Sequence, residues 1–251
     1  MTNSRQELAG QVALVTGAGR NIGRAIALEL AAAGAAVAVN TRASRETAES
    51  VVREIRTAAG TADVFMADVA DRTQVRAMFD GVRGRFGPVG ILVLNASVRR
   101  EVSFADMSFE QWRVPMAISL DGSFHCIKAC LPSMIAAGRG SIVALTGDTA
   151  LTGAAGKVHS SAAKSGLTGM MRALAREVGR HGIRANCVSP GHIDTTRPAH
   201  RSARPSARDL IPLGRWGESA EIAAAVRFLC GPGASFITGQ TFHVNGGQMM
   251  F

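Results

Sequence analysis

The segment VTGAGRNIGRAIA, residues 15–27, joins the end of an apolar run to a glycine-rich turn and then to a helix-forming sequence. The run before it, QVALV (11–15), is typical of a buried strand, and the residues after it repeat apolar side chains at helical spacing. Small residues in such a turn let the backbone approach a phosphate closely, and the free N–H groups at the helix start attract an anion. The segment therefore predicts a strand–turn–helix unit that binds a phosphate-bearing ligand.

The rest of the chain repeats this alternation of buried strands and amphipathic helices. The remaining candidate strands are AAVAVNTR (35–42), ADVFMADVAD (62–71), VGILVLNAS (89–97), GSIVALTGD (140–148), IRANCVSPG (183–191) and TFHVNGG (241–247). The main candidate helices are 21–34, 44–60, 72–86, 108–137, 160–180 and 218–230. This alternation predicts an α/β fold, a doubly wound parallel sheet of about seven strands covered on both faces. We see no repeat or linker, so residues 1–251 are expected to form one domain; the irregular segment 194–215 is either a solvated loop or a mobile lid.

The composition argues against several classes of protein. The formal net charge is +9, but the 28 basic residues are dispersed, without aromatic interleaving, so we expect no nucleic-acid partner. Four scattered cysteines lack the spacing of a zinc site, which indicates reduced, buried thiols and no metal. The apolar stretches are interrupted before they reach the length of a membrane span, and the N-terminal residues are polar. We therefore expect a cytoplasmic protein without membrane contact.

Several motifs, in the same order and at the same spacing, resemble the short-chain dehydrogenase/reductase family over nearly the whole chain. The Thr-Gly-x-x-x-Gly-x-Gly motif of that family corresponds to Thr16, Gly17, Asn21 and Gly23. Asn21 replaces the middle glycine, and asparagine is one of the few residues that tolerate a positive φ. Further matches are ADV (67–69), LNAS (94–97), SPGHIDT (189–195) and ITGQTFHVNGG (237–247). The resemblance implies a Rossmann-type fold that binds a dinucleotide.

The resemblance also assigns cofactor contacts. In the turn it points to Thr16, Gly17, Gly19, Arg20, Asn21, Ile22 and Gly23, and elsewhere to Asp68, Val69, Asn95, Ala96, Ser97, Lys164, Pro190, Gly191, Ile193 and Thr195. The type of cofactor follows from the second strand, which ends with Asn40, Thr41 and Arg42 instead of an acidic residue for the ribose of NAD. Because Arg42 and Arg20 suit a 2′-phosphate, we expect NADP(H).

Most of the residues that catalyse the reaction in this family have no counterpart of the same type in this sequence. In this family a tyrosine exchanges a proton with the substrate oxygen, a lysine four residues later holds the nicotinamide ribose, a serine orients the oxygen, and an asparagine supports a water relay. The corresponding residues here are Ser160, Lys164, Gly147 and Ser119, and the chain contains no tyrosine. A serine hydroxyl is a much weaker acid than a phenol and reaches less far, and Gly147 removes a donor to the developing oxyanion.

Other residues are candidates for the missing acid. His159 precedes the vacated position and titrates near neutrality, but neighbouring helical residues point about 100° apart, and it is equally a partly exposed histidine at a helix start. Lys164 can hold the ribose and pass a proton through water. His192 is a weaker candidate near the nicotinamide. The neighbours of Gly147 either line the pocket or cap a turn: Thr146, Asp148 and Thr149.

Three functions stay open at this point. The first is an NADP(H)-dependent oxidoreductase that converts a small carbonyl or alcohol substrate with a replaced proton donor. The second is an enzyme of the same fold with non-redox chemistry, and the third is a silent nucleotide-binding regulator or subunit. The resemblance further implies a homotetramer that pairs helices 108–137 and 160–180 and the C-terminal strands. The apolar end of QTFHVNGGQMMF (240–251) fits burial against a partner.

Overall fold

The computed structural model describes residues 6–196, 206–207 and 210–250, so the predicted loop or lid at 194–215 lies partly outside the described residues. The strands are β1 (Val12–Val15), β2 (Ala36–Thr41), β3 (Thr61–Met66), β4 (Ile91–Leu94), β5 (Gly140–Leu145), β6 (Ile183–Pro190) and β7 (Thr241–Val244). The helices are α1 (Asn21–Ala32), α2 (Arg45–Thr57), α3 (Arg72–Phe86), α4 (Phe109–Pro115), α5 (Gly122–Ala137), α6 (Thr149–Thr152), α7 (Val158–Val178) and α8 (Ser219–Cys230).

All seven strands form one parallel sheet in the order β3-β2-β1-β4-β5-β6-β7. The prediction of a doubly wound α/β fold is therefore confirmed. The strand order reverses direction between β1 and β4, so the crossovers that leave these two strands run to opposite faces of the sheet. In such sheets a crevice opens at the carboxyl ends of the strands beside this reversal, and ligands bind there. The glycine-rich turn follows β1 at this point.

Two hydrophobic cores cover the two faces of the sheet. Val15 and Val39 pack with α1, α2 and α8, whereas Leu14 and Ala38 pack with α3, α5 and α7. Adjacent residues of a strand point to opposite faces, so a strand that is covered on both faces, such as β1 or β4, has apolar side chains at successive positions. This accounts for the uninterrupted apolar runs in the sequence.

The long helix predicted over 108–137 is divided. A capping box starts α4, because Ser108 Oγ accepts from the Gln111 N–H at 3.2 Å and Gln111 Oε1 accepts from the Ser108 N–H at 2.8 Å. Pro115 lies inside the helix and is followed by a π-helical segment, Met116–Asp121, before α5 begins. Proline lacks the N–H that an α-helix needs, and widened turns of this kind are common near functional sites. Ser119 lies in this segment.

The cysteines agree with the prediction of buried, reduced thiols, since all four are free and buried. Burial raises the pKa of the Cys126 thiol to about 12 and that of Cys187 to about 11. Within the described ranges, no helix is long and apolar enough to span a membrane. The same ranges contain no group of three or more histidine, cysteine and acidic side chains suited to a metal ion.

Candidate functional site

The glycine-rich turn between β1 and α1 is tightly packed. A Cβ added to Gly23 would lie 2.4 Å from the carbonyl oxygen of Gly17 and 2.5 Å from Nδ2 of Asn95, so only glycine fits there. Gly17 has a φ of 64° and Asn21 a φ of 50°, which is the left-handed conformation expected for asparagine at the position of the middle glycine. Arg20 is the N-cap residue of α1, and its side chain makes no capping hydrogen bond with the described residues. The first N–H groups of the helix are therefore open to an anion in the cleft.

Polar side chains connect this turn to the end of β4. Thr16, which is 1% exposed, accepts hydrogen bonds at Oγ1 from the backbone N–H groups of Asn95 at 2.9 Å and Ala96 at 3.0 Å. Asn95 Nδ2 donates back to the carbonyl oxygens of Thr16 at 2.9 Å and Gly17 at 3.0 Å. Two neighbouring strand ends are thus fixed to each other at the base of the cleft. Ser97 follows them and is exposed.

Asn40, a predicted cofactor contact, faces the interior. Its amide donates to the carbonyl oxygens of Phe65 at 3.0 Å and Ala67 at 3.2 Å, and its Oδ1 accepts from the Gly17 N–H at 3.4 Å. The side chain is 1% exposed. Its hydrogen bonds therefore support the glycine-rich turn from below and order the end of β3.

The other predicted cofactor contacts at this end of the cleft include both exposed and buried residues. Arg42 is exposed, and its Nη1 lies 3.5 Å from Oδ2 of Asp68. Arg20 is exposed and Thr41 half-buried. Val69 is buried, and a Cβ added to Gly122 at the start of α5 would lie 2.8 Å from its Cγ2. Ile22 belongs to the core beneath the turn and Gly19 lies against Thr47.

The segment after β6 lines the cleft on the side away from β2 and contacts the glycine-rich turn. The Gly191 N–H donates to the Val244 carbonyl at 3.1 Å, and Ile193 forms a bridge with Gly217. The N–H of Thr196 then donates to Oδ1 of Asn21 at 3.0 Å. Asn21 therefore both shapes the glycine-rich turn and holds the segment that follows β6, through Thr196. His192 lies outside this contact, with Nδ1 2.6 Å from Oε1 of Gln248 and its ring 4.7 Å from that of Trp216.

Lys164 lies on α7, and its Nζ donates a short hydrogen bond to the carbonyl oxygen of Leu145 at the carboxyl end of β5. Burial lowers the pKa of Lys164 to about 8, the nearby Cys187 raises it, and the positive charge of Arg99 lowers it. A lysine that titrates near neutrality can exist in both protonation states at working pH. It is therefore suited to proton exchange as well as to hydrogen bonding.

Ser160 and His159, one turn of α7 before Lys164, lie in different surroundings. Ser160 is half-buried, and within the described part of the chain its Oγ has no hydrogen-bond partner. His159 is 0% exposed and neither ring nitrogen has a partner among the described residues. The alternative of a partly exposed histidine is thus wrong. A fully buried imidazole also has no direct contact with water from which to recover a proton.

Gly147 and Ser119, the expected counterparts of the serine and asparagine of the family, lie in different surroundings. Gly147 has a φ of 150°, and a Cβ there would have only the Pro190 carbonyl within contact range, at 3.9 Å. Ser119 is buried, and its carbonyl accepts from Ser123 Oγ at 2.6 Å. Space for a side chain exists at position 147, but an L-residue would be strained there.

The structure defines the role of Asp148, which the sequence left undecided, and adds Arg99, which the sequence did not predict as part of the site. The buried Asp148 accepts from Ser189 Oγ at 2.9 Å and from Asn245 Nδ2 at 3.3 Å, so it connects the ends of β5, β6 and β7 instead of capping a turn. Arg99 donates from Nη1 to Thr195 Oγ1 at 3.4 Å, which brings a second cation to the cleft that contains Lys164. The only sequence signal for it is a pair of arginines soon after the end of β4.

Comparison with known proteins agrees with this arrangement. Residues 17–249 match the family described as enoyl-(acyl carrier protein) reductase. The chain is 39% identical over 245 residues to a 3-oxoacyl-[acyl-carrier-protein] reductase of Synechocystis sp., covering 97% of this chain and 99% of the relative. It is 40% identical over 240 residues to the 3-oxoacyl-[acyl-carrier-protein] reductase FabG of Staphylococcus aureus, covering 95% and 98%.

Solved structures show the same fold. A gluconate 5-dehydrogenase from Burkholderia cenocepacia, in complex with NADP and tartrate, has a TM-score of 0.91 and 34% identity, covering 98% of this chain and 97% of that one. A blue fluorescent protein from a metagenomic library, in complex with NADPH, has a TM-score of 0.90 and 36% identity, covering 98% and 100%. From the strand order, the glycine-rich turn, the lysine of α7 and these matches, we conclude that the chain belongs to the short-chain dehydrogenase/reductase family of oxidoreductases.

Proposed function

We propose that this protein is an NADP(H)-dependent oxidoreductase that interconverts a carbonyl compound and its alcohol, with Lys164 in place of the usual tyrosine as the proton donor. One observation carries the proposal: the chain has no tyrosine, and the lysine of the family motif is half-buried beside the cleft, where desolvation lowers its pKa to about 8. A general acid is most effective when its pKa lies near the working pH.

The cofactor assignment is supported by the shape and charge of the cleft. The turn around Gly17 and Gly23 leaves no room for a side chain, and the uncapped start of α1 offers N–H groups to a pyrophosphate. Arg42 and Arg20 are exposed cations at the end of β2 and the start of α1, where they suit a 2′-phosphate. The solved neighbours hold NADP and NADPH. The remaining contacts would come from Thr16, Gly19, Asn21, Ile22, Thr41, Asp68, Val69, Asn95, Ala96, Ser97, Pro190, Gly191, Ile193 and Thr195.

A nicotinamide held in this cleft would supply the hydride for carbonyl reduction, or accept it in alcohol oxidation. During reduction the Lys164 ammonium gives a proton to the carbonyl oxygen, directly or through one water, and the neutral amine is then reprotonated from solvent. The hydrogen bond to the Leu145 carbonyl holds Nζ in place while this happens. Ser160 contributes only a short hydroxyl. His159 is fully buried, so it is not proposed as the donor.

The test is a comparison of wild type, Lys164→Met and His159→Ala with NADPH and a panel of carbonyl compounds. We expect turnover by the wild type, retention of activity by His159→Ala, and loss of about 100- to 10,000-fold in Lys164→Met, the usual contribution of a general acid. Loss in His159→Ala with retention in Lys164→Met would transfer the role to the histidine.

A silent nucleotide-binding protein is the second candidate function. The observation that favours it is the absence of three of the four catalytic side chains of the family, at Ser160, Gly147 and Ser119. NADPH binding without oxidation on every carbonyl tested would favour this candidate, or non-redox chemistry, over the first.

The protein is further proposed to be a cytoplasmic homotetramer. Phe124 on α5 is 50% exposed, and Met250 near the C-terminus is 78% exposed. Contact with another subunit would remove such apolar side chains from water, which is favourable. Light scattering should give about four times the 26.2 kDa chain mass, and a monomer mass would contradict the assembly.

A further inference from the structure

A groove runs between α3 and α5, on the face of the sheet opposite to α1, α2 and α8. Its volume is about 580 Å³, which lies within the range of binding sites for small molecules. Side chains from successive turns of both helices line it, together with Pro88 and Val89 from the segment before β4. These residues are all different from the predicted cofactor contacts, so the groove is separate from the cleft.

The base of the groove is apolar. Val75, Phe79 and Val89 line it and are buried in the core of this face. Phe124 and Ala129 on α5 add exposed apolar surface at its side, and Phe124 is 50% exposed. A ligand with an apolar chain would be removed from water along the groove, which is favourable.

Cationic side chains surround this apolar surface. Four of them line the groove, against the one acidic side chain of Asp80: Arg72, Arg76, Arg83 and Lys128. Asp80 forms an ion pair with Arg83, so these two charges offset each other. Within the part of the chain that the structure describes, the other three cations are exposed and have no ion pair. The groove therefore carries an excess of positive charge.

Two of these cations are close neighbours on α3. Arg72 and Arg76 are one helical turn apart, so their Cβ atoms are about 5–6 Å from each other, and like charges at this spacing repel. The preceding Asp71 is the N-cap of α3 and accepts hydrogen bonds from two backbone N–H groups of the first turn. His125 also lines the groove and adds a positive charge when it is protonated. An anion between the two helices would offset the repulsion among these cations.

We propose that this groove binds an amphiphilic phosphate monoester, with its phosphate on Arg72, Arg76 and Lys128 and its apolar chain along the base. A phosphate monoester carries about −1.5 to −2 charges near neutral pH and three acceptor oxygens, so it can accept from several cationic donors at once. Arginine binds phosphate through a planar pair of donors, and lysine binds it as a point charge. A carboxylate has fewer oxygens and less charge for three cations.

A second copy of the chain fits the groove less well. Twofold pairing brings the same surface of two subunits together, so Arg72, Arg76 and Lys128 would meet an identical set of cations. Pairing through α7 and the outer side of α5 leaves the α3 side of the groove to a ligand. The inference does not depend on the proposed function, because binding in the groove requires no turnover.

The test is calorimetric titration of the full chain, with and without NADPH, using octyl phosphate below its micelle concentration. Inorganic phosphate and octyl glucoside serve as the head group alone and as a neutral amphiphile. Octyl phosphate should bind once per chain, more tightly than either, and less tightly as salt is added. Arg72→Ala and Arg76→Ala should each weaken binding about 10-fold, the loss of one charge-assisted bond.

Further variants separate charge from shape. Arg76→Lys should recover part of the loss, and Ala129→Glu, which adds an anion beside the groove, should weaken binding as well. Arg53→Ala removes an exposed arginine from α2, on the other face of the sheet, and should bind octyl phosphate like the wild type. An equal loss in Arg53→Ala would overturn the inference.

Three other results would also overturn it. One is no binding of octyl phosphate, or binding of inorganic phosphate that is equally tight. Another is sedimentation with vesicles of phosphatidic acid and phosphatidylcholine that needs Arg72 and Arg76 while monomeric octyl phosphate does not bind, which would assign the cations to a membrane surface. The last is a change of mass in light scattering of the Arg72→Ala, Arg76→Ala double variant, which would make the groove a subunit contact.

Discussion

Ser160→Tyr should place a phenol at the position that we propose corresponds to the catalytic tyrosine of the family. The new side chain lies one helical turn before Lys164, whose charge lowers the pKa of a phenol beside it. A positioned general acid contributes about 100- to 10,000-fold. Because Lys164 is proposed to supply part of this already, we expect the variant to reduce an activated ketone about 10- to 100-fold faster than the wild type. NADPH oxidation under saturating cofactor is the assay.

The serine position limits how far this repair can go. Gly147→Ser adds a donor to the oxyanion, typically worth about 3 kcal/mol, but Gly147 has a φ of 150°, and strain of this kind costs about 1–3 kcal/mol of stability. The double variant should therefore be faster than Ser160→Tyr and less stable, with a lower Tm. The reasoning is refuted if Ser160→Tyr binds NADPH but gains no activity, or if its gain persists when Lys164 is also replaced by methionine.

Three further predictions concern the cofactor and the proton. Arg42→Ala should weaken NADPH binding by about 1.5–3 kcal/mol and leave NADH binding nearly unchanged, and equal losses in fluorescence titrations would contradict the 2′-phosphate assignment. Lys164 has a pKa of about 8 and donates its proton as the ammonium, so kcat/KM for reduction should fall above pH 8. In the oxidation direction the neutral amine is needed, so kcat/KM should rise up to the same pH. Profiles without a shared inflection would argue against a lysine donor. Gly23→Ala places a Cβ 2.4 Å from a backbone oxygen and should abolish NADPH binding. The control Gly84→Ala, with nothing within 4 Å of its Cβ, should bind NADPH normally. NADPH binding that survives in Gly23→Ala would contradict a cofactor site at this turn.

The fold was predictable because its signals are local and repeated. The central strands β1, β4 and β5 are buried on both faces and read as apolar runs, and each main helix carries one apolar side. The exceptions have specific causes. The π-helical segment Met116–Asp121 follows Pro115, and the spacing of apolar residues gives no sign of this interruption. The short helix α6 has no buried residue, so it carries no apolar pattern that could predict it.

The site was predictable to the extent that backbone geometry defines it. Glycine and asparagine in the turn carry a conformational requirement that the sequence displays directly. Side-chain direction was less accessible: Asn40 turns inward and His159 is fully buried, which depends on how β2 and α7 pack. Arg99 could not be predicted as part of the cleft, because its contact with Thr195 joins residues 96 positions apart.

The central claim is that this chain transfers a hydride from NADPH and takes the proton from Lys164. The most direct measurement uses NADPH deuterated at the transferable C4 position, with mass spectrometry of the alcohol formed by the wild type and by Lys164→Met. We expect one deuterium on the carbinol carbon of the wild-type product and a loss of product formation in Lys164→Met, while NADPH still binds. Product without deuterium, or equal labelled product from both proteins, would contradict it.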